Sequence, residues 1–296
     1  CSPSPESGLM TAWAGFVATS VCLTSMFCIV KLIARYRSGE PLIRQVSGSP
    51  VPWDGIIVAS LFVLFLVCQG LCVAAAQQLF PVGDQAPQVV SNGSATTVIT
   101  VDGSKDSDNL GYLLLANAIA MLVFTCVAAF VLRMCGASWR DLGFRDPKPR
   151  EGLRLACVTW VIIVPPLLAL AAFLDQFVEP YSHPIIEFLQ ADKSVWSIAL
   201  VLGAAVVAAP IAEEFFFRRI LQGWLEIKFG DWAVVVSAFC FGLAHLGQGL
   251  GWVPLIGFGL AAGYLARRRG TILPSIVLHA LFNGLSVLLL VVSELA

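Results

Sequence analysis

Residues 201–220 read VLGAAVVAAPIAEEFFFRRI, an apolar run that ends in two adjacent glutamates and two arginines. Carboxylates inside or beside hydrocarbon are costly and seldom face lipid, so Glu213 and Glu214, with Arg218 one turn on, are functional candidates from the outset. The chain holds 3 histidines, and two of them, His245 and His279, also lie in apolar segments. Acid and imidazole in this setting point to chemistry performed within a membrane.

The surrounding composition agrees. Of 296 residues 58% are hydrophobic and only 12% charged, with a mean hydropathy of +0.84. A soluble domain carries about 25% charged residues, so the chain reads as a polytopic, all-α membrane helix bundle. A net charge of −1 gives no case for a nucleic-acid partner. Eight of the 9 cysteines fall in or beside apolar runs, where a thiol behaves as a small hydrophobe, and no zinc-ligand spacing is present. Cys1 stands where an initiator Met is expected, and reads as a lipidated first residue or as the start of a truncated record.

Apolar segments of spanning length, about 20 residues, occur at Leu9–Ile33, Gly55–Phe80, Leu110–Met134, Leu155–Phe177 and Val195–Leu221. Trp232–Leu246, Val253–Ala266 and Ile272–Val292 complete a count of about eight. With eight spans, 16 of the 18 basic residues fall on one side and only Lys105 and Lys193 on the other. The positive-inside rule then makes the basic loops cytoplasmic and both termini external. The inner (plasma) membrane is the expected location. The loop Pro81–Asn109 is polar and external, and residues 1–146, with three spans, separate from residues 147–296, with about five. Pro165-Pro166 and Pro210 interrupt helices, and the carbonyls they free need partners inside the bundle.

On an ideal helix Glu214 and Arg218 lie about 40° apart and neutralise each other, whereas Glu213 points about 100° away from Glu214. If the chain turns near Phe229-Gly230, Glu213 and His245 lie at equal depth. His279 and Asn283, four residues apart, share a helical face at a similar level. A carboxylate and an imidazole beside one water make a general base, and a second imidazole and an amide make oxyanion donors. Taken singly, each residue also fits a plainer part: a salt-bridged helix end, packed histidines, an interhelical amide bond.

The set Glu213-Glu214-x-x-x-Arg218, Phe241-x-x-x-His245 and His279-x-x-x-Asn283 resembles the three motifs of the CPBP family. This family groups the type II CAAX prenyl endopeptidases with bacteriocin-processing and immunity (Abi) proteins. The resemblance covers about Trp196–Val292 and makes residues 147–296 a CPBP-like catalytic membrane core. It implies an intramembrane endopeptidase in which Glu213, helped by His245, activates a water. His279 and Asn283 would hold the oxyanion, and Glu214 and Arg218 would support the site, nearer the cytoplasmic side. It implies a peptide or protein substrate, lipidated or not, at the bilayer. No cofactor is expected; the alternative is a divalent metal such as zinc on Glu213, His245 and His279, although H-E-x-x-H is absent. A non-catalytic immunity or binding protein and, further off, a proton-coupled transporter remain the rival functions. Phe215, Phe216 and Phe217 are candidates to line a prenyl pocket, and read more readily as core or lipid-facing residues. His183 is assigned no role.

Overall fold

The computed structural model describes residues 5–39, 43, 50–79, 91–92, 95–96, 103–178, 184–246 and 249–295. Cys1, Arg44, most of the Pro81–Asn109 loop and His183 lie outside them. The helices are α1 (Pro5–Arg37), α2 (Gly55–Leu79), α3 (Gly103–Met134), α4 (Pro149–Leu174) and α5 (Pro184–Ala191). There follow α6 (Val195–Leu202), α7 (Ala209–Glu214), α8 (Gln222–Phe229), α9 (Trp232–Leu243), α10 (Trp252–Arg269) and α11 (Leu273–Leu295). Among the described residues, only a hairpin of two-residue strands, β1 (Ser91–Asn92) and β2 (Ala95–Thr96), departs from the all-α class. Every apolar segment of the sequence forms a helix.

Among the described residues, 5 helices are long and apolar enough to cross a membrane: Gly55–Ala76, Asn109–Met134, Pro149–Leu174, Val195–Phe229 and Leu273–Val292. Their outer faces are apolar as well. In the α4 window only 6% of residues are buried by protein, and Leu153, Val158, Leu170 and Phe173 are open on its surface. A surface of this kind calls for lipid rather than water, and the chain is an integral membrane protein. The eight described cysteines are free and none is buried. They are therefore not core residues, as the apolar runs around them suggest, because a spanning helix is apolar on its outer face too.

Packing divides the chain into two interleaved units. The first comprises Cys1–Val51, Trp139–Pro180 and Phe217–Leu278. In it α9 and α10 approach closely through small residues: a Cβ on Gly259 would lie 3.0 Å from the Ala238 Cα, and one on Gly242 2.4 Å from Ile256 Cγ1. The doubled proline of α4 removes the N–H that would serve the Ile162 carbonyl four residues back. The buried Ser25 hydroxyl of α1 donates to that oxygen at 2.8 Å.

The end of α10 is pinned more firmly. Gly270 takes the left-handed cap at φ 66°, and the Thr271 hydroxyl and Ile272 N–H both donate to the Gly143 carbonyl, at 2.7 and 2.9 Å. Arg269, with its side chain only 2% exposed, pairs with Asp146 at 2.9 Å and Glu151 at 3.2 Å. The segment that carries Gly143, Asp146 and Glu151 is thereby a fixed polar strap.

The second unit comprises Pro52–Ser138, Tyr181–Phe216 and His279–Ala296. Phe188, Leu189, Val201 and Val287 form its core, with Leu110, Leu114 and Ile198 against them. A separate aromatic group joins Phe65 to Phe124 at 5.0 Å and to Phe216 at 5.9 Å. Phe215 and Phe216 are buried here, as Phe217 is in the first unit, so all three are packing residues. Gln69 on α2 donates to Asn117 on α3 at 2.9 Å. Before α6, the Asp192 carboxylate accepts from the Ser197 hydroxyl and from the N–H and hydroxyl of Ser194.

Two outcomes follow from these polar locks. Arg269→Met leaves Asp146 buried without its cation, and we expect about 3–5 kcal/mol of lost stability in detergent unfolding. The bonds from Ser197 and then Ser194 hold Asp192 below its ordinary value of 3.8. Its contribution is therefore complete above that value and fades as pH falls through the lower, folded value. We expect the Ser197 amide resonance to stay constant from neutral pH down to that region and to shift only below it.

Candidate active site

Val195–Phe229 is one continuous apolar helix, but not one continuous α-helix. Gly203–Ala208 and Phe215–Leu221 are π-helical, and they flank the short α7 that carries both glutamates. The first π stretch has a local cause and a distant consequence. The Ala209 N–H reaches back five residues to the Ala204 carbonyl. The next donor in that series would be Pro210, which has no N–H, so the Ala205 carbonyl lacks its ladder partner. The Asn283 side-chain amide donates to this oxygen at 2.7 Å. Nearby, a Cβ on Gly284 would stand 4.0 Å from Val206 Cγ2.

One turn from Asn283 on the same face of α11, His279 meets the glutamates. Its Nδ1 lies 3.0 Å from Glu214 Oε1, and Glu214 is fully buried. Its Nε2 lies 4.0 Å from Glu213 Oε2, too far for a hydrogen bond, and the Glu213 side chain is 12% exposed. A buried carboxylate requires a partner, and Glu214 has one in His279. Glu213, Glu214, His279, Asn283 and the Ala205 carbonyl thus gather within the second unit.

The remaining candidates belong to the first unit. His245 lies in the turn after α9, half-buried, with Nδ1 donating to the Phe241 carbonyl at 2.9 Å. A carbonyl can only accept, so Nδ1 carries hydrogen and Nε2 of a neutral ring keeps its lone pair. Arg218 donates to the Ser237 hydroxyl at 3.3 Å and lies 4.7 Å from the Phe241 ring centroid. Ser237 in turn donates to the Phe217 carbonyl, inside the second π stretch, at 2.8 Å.

Two of the sequence counts rest on ideal helix geometry. The ideal-helix angle of about 40° between Glu214 and Arg218 does not carry over, because the π stretch begins between them. The equal-depth count for Glu213 and His245 also assumed ideal helix, whereas α9 ends at Leu243. The turn near Phe229-Gly230 and the shared face of His279 and Asn283 are as the sequence suggests. That Pro210 frees a carbonyl in need of a partner is legible in the sequence, whereas its identity as Ala205 and its donor, Asn283, are not. Among the described residues, no three His, Cys, Asp or Glu side chains stand close enough to hold a metal ion.

Residues 195–285 match the family described as type II CAAX prenyl endopeptidase Rce1-like. The UPF0177 protein YaiF of Lactococcus lactis subsp. lactis (strain IL1403) is 29% identical over 139 residues, which cover 42% of this chain and 62% of that protein. The chain therefore spans less than two thirds of this curated relative. No solved structure matches. The resemblance carried by the three motifs extends over this matched segment, which is similar to a peptidase family.

The Ala205–Asn283 bond can be separated from any chemistry at Asn283. Asn283→Leu strands the carbonyl, and we expect a loss of about 1–3 kcal/mol. Adding Pro210→Ala restores a backbone N–H, and is expected to recover most of that stability. Equal losses in the presence and absence of Pro210 would contradict the pairing.

Proposed function

We propose that the chain is a glutamate-dependent intramembrane endopeptidase, and the observation that carries this reading is the Glu213–His279–Glu214 cluster. Glu213 is the more exposed carboxylate and acts as general base, taking a proton from a water that attacks the scissile carbonyl carbon. The tetrahedral oxyanion is held by His279 and Asn283. The Asn283 amide nitrogen has two hydrogens, so it can serve the Ala205 carbonyl and the oxyanion together. Glu214 stabilises the His279 imidazolium through Nδ1, which makes Nε2 a donor. Glu213 then returns its proton to the leaving amine as the C–N bond breaks. Arg218 supports the site. His245 enters on the resemblance alone, as the imidazole that assists water activation, and its Nε2 lone pair suits that role.

This hydrolysis needs no metal. The substrate is a peptide or protein segment anchored at the membrane, with a lipid modification as the chemistry best matched to the family. The site opens nearer the basic side, which is cytoplasmic by charge asymmetry.

The test is cleavage of membrane-anchored peptides, farnesylated and unmodified, by the full chain in liposomes. We expect cleavage that persists in a metal chelator and falls about 10²–10⁴-fold in Glu213→Gln. Undiminished cleavage by this variant would overturn the assignment of the base. Loss of cleavage in chelator, restored by added zinc, would overturn the metal-independent mechanism.

A further inference from the structure

The first unit contains a cavity of about 400 Å³ lined by the second π stretch, α8 and the end of α10. Its lining includes Arg218, Arg219, Arg267, Gln222, Glu226 and Thr271. Three arginines and one carboxylate line it, while Asp231 and Asp141 lie beside Arg267 and Arg219. Arg267 divides its guanidinium between Glu226 at 3.2 Å and Asp231 at 2.6 Å. Arg219 donates to the Asp141 carbonyl. These contacts hold the guanidinium groups in fixed positions around the cavity, and 400 Å³ is within the range of ligand pockets.

The neighbouring surface indicates the depth of the cavity in the bilayer. Trp232 is 70% exposed, Ile227 55% and Phe229 52%. Lys228 lies 5.1 Å from the Trp224 ring centroid and Arg268 5.2 Å from that of Tyr264. Exposed aromatic residues interleaved with cations mark the zone where hydrocarbon meets headgroups. Basic pockets between membrane helices at this level suit phosphate-bearing lipid heads.

We propose that this cavity binds an anionic phosphate group presented at the membrane interface, as the headgroup of an acidic phospholipid or as free phosphate. Arg219 and Arg267 supply the attraction, and Glu226 opposes it. The two groups predict effects of opposite sign, which a merely structural role would not produce.

The experiment uses delipidated full-length protein in detergent, titrated in turn with phosphatidylglycerol, phosphatidylcholine and inorganic phosphate. Bound adducts are counted by native mass spectrometry, with melting temperature as a check on folding. We expect phosphatidylglycerol to bind in preference to phosphatidylcholine. Arg267→Gln is expected to weaken that binding about fivefold, and Glu226→Gln to tighten it. Binding of inorganic phosphate alone, with the same response to the two variants, would support the site and identify the soluble source. Equal retention of both lipids, unaffected by either variant, would overturn the proposal, as would the absence of binding by all three probes in folded protein.

Discussion

A proline in the middle of a membrane span sets the geometry of this site. Pro210 has no N–H, and in hydrocarbon no water stands ready to serve the carbonyl it strands. The helix responds by widening to π geometry over Gly203–Ala208, and Asn283 of α11 supplies the missing donor at Ala205. With Asn283 fixed, His279 one turn earlier is brought against Glu214. The two bonds come from one face of one helix: Asn283 serves the carbonyl that the proline strands, and His279 meets a buried acid.

The same logic gives adjacent glutamates different environments. Glu214 is enclosed and bonded to His279, while Glu213 retains some exposure 4.0 Å from the other ring nitrogen. A buried acid bonded to a histidine, beside a less enclosed acid, suits the division of labour proposed for hydrolysis. In this protein the division follows from one residue of register on α7, and both groups stay inside the second unit. Polar locks elsewhere serve the frame: Ser25 answers the doubled proline of α4, and Arg269 ties α10 to the polar strap.

Much of this was legible in the sequence, for reasons that can be named. Helices, turns and the charged ends follow from apolar length and from arginine placement, since hydrocarbon permits few alternatives. The shared face of His279 and Asn283 follows from a spacing of four. The π stretches were not legible, because an apolar run reads alike whether its bonds reach back four or five residues. The bond between His279 and Glu214 was hidden for another reason: the two residues are 65 apart in the chain. The cysteines misled because lipid-facing and core surfaces share one composition.

The central claim is that Glu214 holds the site and Glu213 does its chemistry. The most direct measurement compares the unfolding free energies of Glu213→Leu and Glu214→Leu in the same detergent. The account predicts that Glu214→Leu loses about 1–3 kcal/mol, because the buried His279 Nδ1 is left without an acceptor. It also predicts that Glu213→Leu unfolds like the parent chain. Equal losses, or a loss confined to Glu213→Leu, would contradict it.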